Sequence, residues 1–316
     1  MKLRWWGLVL LVVLAVSSGA GEDPVAPDPH LGGWQVVRSQ DVAQVHNGWS
    51  TPVYLEVSEL GWGESIFVSP DGKTIWYMYY PGKDLLTDIE NGNFVDDTDI
   101  YFSKSPDGQF RTQQKLDAFF ASEEQTSASG VMIDSDGHVW YNSNHEGLVN
   151  GDWEHENIYR DDQLLPFNDP VKTYANPHYC QARDELWFDS IVDTEISVLK
   201  HAAANGFEGR PVVAPHPINS ENEDVQDSQP WLSADCDTLY FTSNRHKIGR
   251  YFDGPGIFRS QRLGEDAWSE PELMVTSRVA VGDPALTADG RTMFFVQHFE
   301  KDGEFRTGLF FTQKRR

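Results

Sequence analysis

One phrase recurs five times along this 316-residue chain: an apolar stretch, a tight turn, usually at an acidic residue, and a second hydrophobic stretch rich in aromatic residues. The five copies are IFVSPDGKTIWY (66–77), VMIDSDGHVWY (131–141), PHYCQARDELWF (177–188), PWLSADCDTLYF (230–241) and PALTADGRTMFF (284–295). One small strand–turn–strand sheet cannot bury both of its faces alone, so units repeated at intervals of about 45 to 65 residues are expected to stack on one another. The sequence therefore predicts an all-β propeller with one blade for each copy.

The position of proline indicates which strand of each blade lies innermost. Pro177, Pro230 and Pro284 all stand five residues before the turn when the copies are aligned on it. Proline is tolerated in a sheet only on an edge strand or at a bulge. The innermost strand of a propeller blade has such an edge, which faces the central channel. We therefore expect the first strand of each copy to line this channel.

The two ends of the chain are expected to close the ring of blades. A fourth strand is recognisable in the first four copies but not after the fifth, whereas 49–57 has the composition of a fourth strand with no blade before it. This N-terminal strand would complete the last blade, because a ring of sheets cannot leave one edge open. The prediction is a five-bladed propeller, and a six-bladed one is the alternative if 34–39 forms a degenerate extra sheet.

The N-terminus predicts an exported protein. Lys2 and Arg4 precede an apolar run from Trp5 to Val16, and small residues follow up to Ala20. This order is typical of a cleaved secretory signal peptide, and an uncleaved membrane anchor is the alternative. The expected organisation is a signal peptide over 1–20, a flexible lead-in over 21–33 and one propeller domain over 34–316. We expect a periplasmic or secreted monomer with no membrane span after cleavage.

The charge balance excludes one class of partner. There are 49 acidic and 25 basic residues, and the resulting net charge of −24 repels the phosphate backbone of nucleic acids. Three explanations of the acidity stay open: solubility of an exported protein, a saline habitat, or a surface for a cation-rich partner.

The chain has two cysteines, Cys180 and Cys236, which fall at different positions of their repeats. A disulfide needs Cα atoms closer than about 7 Å. Although export exposes them to an oxidising compartment, we expect two buried thiols rather than a bridge.

The repeat resembles the PD40, or WD40-like, propeller repeat of the periplasmic TolB family. The resemblance rests on SPDGK at 69–73, TDIYFS at 98–103, LYFTSNR at 239–245 and AWSEP at 267–271, and it covers nearly the whole mature chain. It implies a propeller that acts as a binding or scaffolding module, with an envelope protein or a glycan as its ligand. The same repeat also occurs in hydrolases, so it does not decide between these functions.

The long loops of the chain are predicted to leave one face of the propeller. Loops that join the second strand to the third, and the fourth to the next blade, share this face, and binding residues are commonly carried on such loops. The candidate binding residues on this face and at the channel mouth are Trp62, His145, Trp153, His155, His178 and Trp231.

Glycoside hydrolysis is the alternative function. Two carboxylates about 5 to 9.5 Å apart would supply a general acid together with a nucleophile or base. Glu64, Asp227 and Asp283 stand where inner strands begin and are the candidate catalytic residues.

Calcium is the cofactor that the sequence favours, since the His and Glu residues over 145–156 match no standard zinc spacing. Asp88, Glu90, Asp96 and Asp97 place carboxylates around Gly92, as Ca²⁺ loops do, but without the spacing of an EF-hand. Ca²⁺ is therefore a candidate ligand of this run, and no other cofactor is predicted.

Overall fold

The structure is a computed structural model of the chain. It describes residues 43–82, 85–90, 98–105, 107–116, 127–144, 156–190, 193–245, 255–301 and 304–315. The predicted signal peptide and lead-in lie outside these residues, as does 34–39. Within them, no helix is both long enough and apolar enough to cross a membrane.

The described residues form five antiparallel sheets, each made mainly of consecutive strands. Two short N-terminal strands come first: β1 (Gln44–Val45) and β2 (Val53–Tyr54). Blade 1 contains β3 (Trp62–Val68), β4 (Thr74–Tyr80), β5 (Asp99–Lys104) and β6 (Gln114–Lys115). Blade 2 contains β7 (Ala128–Ile133), β8 (Val139–Ser143), β9 (Asn157–Arg160) and β10 (Gln163–Leu164). Blade 3 contains β11 (Tyr174–Cys180), β12 (Glu185–Ser190), β13 (Glu195–Lys200) and β14 (Val212–Val213).

Blade 4 contains β15 (Asp227–Leu232), β16 (Thr238–Ser243), β17 (Gly256–Gln261) and β18 (Glu272–Thr276), and blade 5 contains β19 (Ala280–Leu286), β20 (Thr292–Lys301) and β21 (Glu304–Gln313). The described helical segments are α1 (Leu85–Glu90) and two 3-10 turns, Glu56–Leu60 and Gln181–Arg183. The first strands of successive blades contact one another, and β19 contacts β3, so the five sheets close into a ring. The five-bladed propeller is thereby confirmed.

The N-terminal strand closes the last blade, as predicted. β2 pairs with β21, with Val53 opposite Phe311 and Tyr54 opposite Phe310. The pairing covers the outer edge of blade 5, which β21 would otherwise leave open. β1 was not expected: it adds a fifth strand to blade 4 by pairing with β18.

All five innermost strands carry the same irregularity. The pairing of each with its neighbour shifts register at one point. The residues at these bulges have a left-handed backbone, with φ between 52° and 60°: Ser65, Gly130, Asn176, Gln229 and Asp283. In three blades the proline used to identify the inner strands directly follows the bulge. A bulge interrupts the ladder, so proline is tolerated there, and the prediction that these strands are innermost is confirmed.

Aromatic side chains fill the spaces between neighbouring blades. Trp140 of blade 2 stacks on Tyr179 of blade 3 with ring centroids 4.9 Å apart, and Trp187 of blade 3 meets Trp268 of blade 4 at 5.6 Å. Burying one such side chain contributes about 2 kcal/mol or more. Each blade therefore buries its faces against its neighbours, and the disc supports the loops as one body.

The tight turns between first and second strands define one face of the disc, here called the tight-turn face. In copies 1, 4 and 5 a hydroxyl group binds the turn acid two residues later, as Ser69 does with Asp71 at 2.7 Å. Copy 3 differs: its turn is formed by the 3-10 segment Gln181–Arg183, which is followed by Asp184 in the left-handed conformation.

A disulfide joins Cys180 to Cys236, so the expectation of two free thiols is wrong. Cys180 ends β11, whereas Cys236 lies in the β15–β16 turn, where its φ is 62°. Both positions lie at the tight-turn face of adjacent blades. Their Cα atoms are therefore 5.9 Å apart although the two cysteines occupy different repeat positions.

Candidate functional site at the channel mouth

The side of the disc opposite the tight-turn face, where residues 214–226 lead from blade 3 into blade 4, is here called the mouth face. Five of the predicted binding and metal-site residues lie outside the described residues: His145, Trp153, His155, Asp96 and Asp97. Asp88 lies on α1 and accepts a hydrogen bond from the Tyr80 hydroxyl at 2.8 Å. In the part of the chain that the structure describes, no group of three His, Cys, Asp or Glu residues could hold a metal ion.

Two of the three candidate catalytic residues lie side by side at the junction of blades 5 and 1. Asp283 Oδ2 accepts a hydrogen bond from the Ser65 amide at 3.0 Å, and Ser65 follows Glu64 in the chain. Burial raises the pKa of Glu64 to about 8, and the neighbouring Asp283 carboxylate adds to the rise. Burial alone raises the pKa of Asp283 to about 6. Between about pH 6 and pH 8, Glu64 is therefore mostly protonated while Asp283 is mostly ionised.

Glu64 also contacts a histidine that the sequence did not single out. His298 Nε2 lies 3.3 Å from Glu64 Oε1, and each side chain is 13% exposed. Burial lowers the pKa of His298 to about 4. The Trp62 ring meets the His298 ring edge-on at 6.0 Å, and the nearby Trp62 side chain partly offsets the rise in the pKa of Glu64. Near neutral pH these shifts favour an uncharged Glu64 beside an uncharged His298.

Asp227, the third candidate, has a different set of contacts. Its Oδ1 forms an ion pair with Arg245 Nη2 at 2.6 Å, and its Oδ2 accepts the Ser220 amide at 2.8 Å. Arg245 also donates to the Pro217 carbonyl oxygen at 2.8 Å. Asp227 and Arg245 thus fasten the loop that leads from blade 3 into blade 4.

Two further buried carboxyls belong to the mouth, and the first is Asp189 on β12. Its Oδ1 accepts hydrogen bonds from the Gln229 amide at 3.0 Å and from Asn176 Nδ2 at 2.9 Å. Burial raises the pKa of Asp189 to about 7, and the Asp283 carboxylate adds to the rise. Asp189 therefore links the inner strands of blades 3 and 4.

Glu156, which directly precedes β9, is the second. Its Oε2 accepts a hydrogen bond from Asn142 Nδ2 at 2.6 Å, and Asn142 Oδ1 accepts the Asn176 amide at 3.0 Å. Burial raises the pKa of Glu156 to about 7, and Asp189 contributes to the rise.

These contacts form a continuous arc across the five blades. The last link is Gln229, whose Oε1 accepts the Asp283 amide at 3.0 Å. The set is here called the carboxyl arc: the carboxyls Glu156, Asp189, Asp283 and Glu64, with the linking side chains Asn142, Asn176 and Gln229. No lysine or arginine of the described residues forms an ion pair with any of the four carboxyls. The arc instead joins the blades by side-chain acceptors that bind backbone amides of the next blade.

A cavity of about 40 Å³, with room for a few water molecules, lies among the inner strands at the level of their bulges. Its lining includes His178 and Trp231, two of the predicted binding residues, whose rings are 5.5 Å apart. His178 Nε2 contacts the Leu232 carbonyl oxygen at 3.0 Å, and burial lowers the pKa of His178 to about 4. An uncharged His178 therefore joins blades 3 and 4 inside the channel.

No protein-family model matches the chain, and no curated protein matches it. Among solved structures, a luciferin-regenerating enzyme is similar at 8% identity with a TM-score of 0.46, over 84% of this chain and 95% of that one. A protein of unknown function from Dyadobacter fermentans is 9% identical with a TM-score of 0.46, over 85% of this chain and 100% of that one. A thermostable family-43 glycoside hydrolase is 11% identical with a TM-score of 0.47, over 78% of this chain and 92% of that one. Likeness at this level assigns neither a family nor an activity.

Proposed function

We propose that this protein is an exported propeller of the PD40 type that acts as a binding or scaffolding module, with its ligand or partner on the mouth face. The observation that carries the proposal is the structural use of the mouth carboxyls. Asp283 and Asp189 accept hydrogen bonds from backbone amides of neighbouring blades, and the cavity that Asp283 lines has a volume of about 40 Å³. Groups used in this way hold the scaffold, so recognition falls to the surrounding loops.

The described part of the mouth loops offers an acidic surface for a partner. Glu221, Glu223 and Asp224 are exposed on the loop fastened by Asp227 and Arg245. A rigid disc that carries charged loops on one face suits docking of an envelope protein or a glycan.

Capture from an envelope extract, beside a glycan array, tests the proposal with the full mature chain as bait. The matched variants are Glu221→Lys with Glu223→Lys on the mouth face, and Glu208→Lys with Glu265→Lys on the tight-turn face, which make the same change in charge. We expect the first pair to lower binding at least about tenfold, a loss of about 1.4 kcal/mol, and the second to leave it unchanged. Equal losses in both pairs would contradict a site on the mouth face.

A hydrolase is the second candidate, favoured by the unequal pKa values of Glu64 and Asp283. Two neighbouring carboxyls with separated pKa values are typical of an acid and base pair. Hydrolysis of a panel of aryl glycosides by the wild type, Glu64→Gln and Asp283→Asn tests it. Turnover that each substitution lowers by about a hundredfold or more would replace the binding proposal with a catalytic one. Absence of turnover in the wild type supports the binding module.

A further inference from the structure

The carboxyl arc brings four acids close to one another, and no lysine or arginine of the described residues forms an ion pair with them. The Asp283 carboxylate raises the pKa of Glu64 and that of Asp189, and the Asp189 carboxylate raises the pKa of Glu156. All four side chains are buried or nearly so. A buried charge is stable only when it is paired, and otherwise the group remains protonated. The arc can therefore hold few negative charges at once.

The groups that face these carboxyls are otherwise uncharged. Glu64 faces His298 of β20, Asp283 of β19 and Trp62 of its own strand. Asp283 faces the Ser65 amide, and Asp189 faces Asn176 and the Gln229 amide. Glu156 faces Asn142. Two histidines of the described residues stand near the arc: His298 beside Glu64, and His178 in the cavity that Asp283 also lines. Burial opposes the protonation of both.

The arc also controls the backbone at the mouth. Four of the five bulge residues donate their backbone amides to an arc side chain of the preceding blade. The donors are the amides of Asn176, Gln229 and Asp283, and that of Ser65, which binds Asp283 across the ring closure. Any force between the arc carboxyls therefore acts directly on the spacing of the inner strands.

We propose that the carboxyl arc is a proton-operated clasp, which holds the inner strands together while its carboxyls are mostly protonated and loosens the channel mouth when neighbouring carboxyls ionise together. The direction follows from repulsion: adjacent carboxylates in a buried site without a cation push apart. Burial raises the pKa of each of the four carboxyls, so the folded arc retains protons that solvent-exposed acids lose. A rise in pH is the signal to which the clasp responds.

Hydrogen exchange of the inner strands, measured by mass spectrometry on the full mature chain, tests the proposal. Protection of peptides that cover β3, β11, β15 and β19 is compared at pH about 5 and about 9, after correction for the intrinsic effect of pH on exchange. The arc variant combines Glu64→Gln, Asp189→Asn and Asp283→Asn. The carboxamide oxygens at 189 and 283 can still accept the backbone amides of Gln229 and Ser65. The control combines Glu221→Gln, Glu223→Gln and Asp224→Asn, which removes three exposed charges instead.

We expect protection in the wild type and in the control to fall at least about tenfold at the higher pH, and protection in the arc variant to change much less. The same fall in the arc variant, or no fall in the wild type, would overturn the proposal. If the arc variant fails to fold cooperatively, Glu64→Gln alone is measured, with a smaller fall at β3 and β19 as the required result.

Discussion

Asp283 of the last blade accepts a hydrogen bond from the Ser65 amide of the first blade at 3.0 Å. This contact closes the ring at the channel, while β2 and β21 close it near the rim. The propeller is therefore joined twice at the same junction, once by a carboxylate and once by a strand.

The contact predicts different results for two substitutions at position 283. Asp283→Ala leaves the buried Ser65 amide without an acceptor, which should lower the free energy of unfolding by about 1–3 kcal/mol. Asp283→Asn keeps an acceptor oxygen and removes the buried charge, so it should be less harmful than alanine near neutral pH. Urea denaturation of both variants measures this. Equal destabilisation would mean that the charge, and not the acceptor, matters.

The pKa of Glu64 predicts that stability falls as pH rises. Burial raises this pKa from 4.5 to about 8, so between these values the folded protein binds a proton that the unfolded chain has lost. Linkage then lowers the free energy of unfolding across that window, with no further loss from this group above about pH 8.

Glu64→Gln cannot ionise and should show a flatter profile, whereas the exposed control Glu221→Gln should follow the wild type. Thermal melting from pH about 4 to about 9 provides the comparison. Parallel profiles for wild type and Glu64→Gln would contradict a raised pKa at this site.

The repeat architecture could be predicted because each copy carries its own local signals. The turn chemistry of Ser69 and Asp71 and the prolines at 177, 230 and 284 act within a few residues, and all five copies repeat the same pattern. Pairing of β2 with β21 followed from the need to cover one open edge. These are the parts of a fold that local sequence and strand counting determine.

The site was predicted less well, because its members meet only after the ring closes. Glu64 and Asp283 are 219 residues apart in number yet adjacent in space. The second strands of blades 2, 3 and 4 end in YNS, FDS and FTS, and the polar residue before the final serine is Asn142 in blade 2 and Asp189 in blade 3. This repeated polar position was a signal for both residues. It was missed because the candidates were limited to acids at the start of inner strands. No local signal distinguished Asp227, whose partner Arg245 lies beyond a whole hairpin.

The ion pair of Asp227 predicts a structural effect of its substitution. Asp227→Asn leaves the largely buried Arg245 without its counter-charge, and breaking a buried pair costs about 3 kcal/mol or more. Asp224→Asn, an exposed change nearby, should stay within about 0.5 kcal/mol of the wild type. Urea denaturation of the two variants tests this. A mild effect of Asp227→Asn would return Asp227 to the list of candidate functional residues.

The N-terminal closure predicts a sharp difference between two truncations. Deletion through Tyr54 removes β1 and β2 and leaves β21 as an open edge, whereas deletion through Val45 removes β1 and keeps β2. We expect the longer deletion to abolish or broaden the cooperative thermal transition, because the last blade loses its closing strand. The shorter deletion should retain the transition, since blade 4 still has four strands. Similar melting of both truncations would show that closure does not depend on β2.

The disulfide between Cys180 and Cys236 predicts a stability that depends on oxidation. The bridge links blades 3 and 4 across 56 residues of sequence, and closing a loop of that length stabilises a fold by about 4 kcal/mol in the chain-entropy model. A reducing agent should therefore lower the urea midpoint of the wild type. It should have no effect on the variant Cys180→Ser with Cys236→Ser, which controls for other actions of the reagent. Thiol titration of the denatured, unreduced protein should find no free thiol, and two free thiols would contradict the bridge.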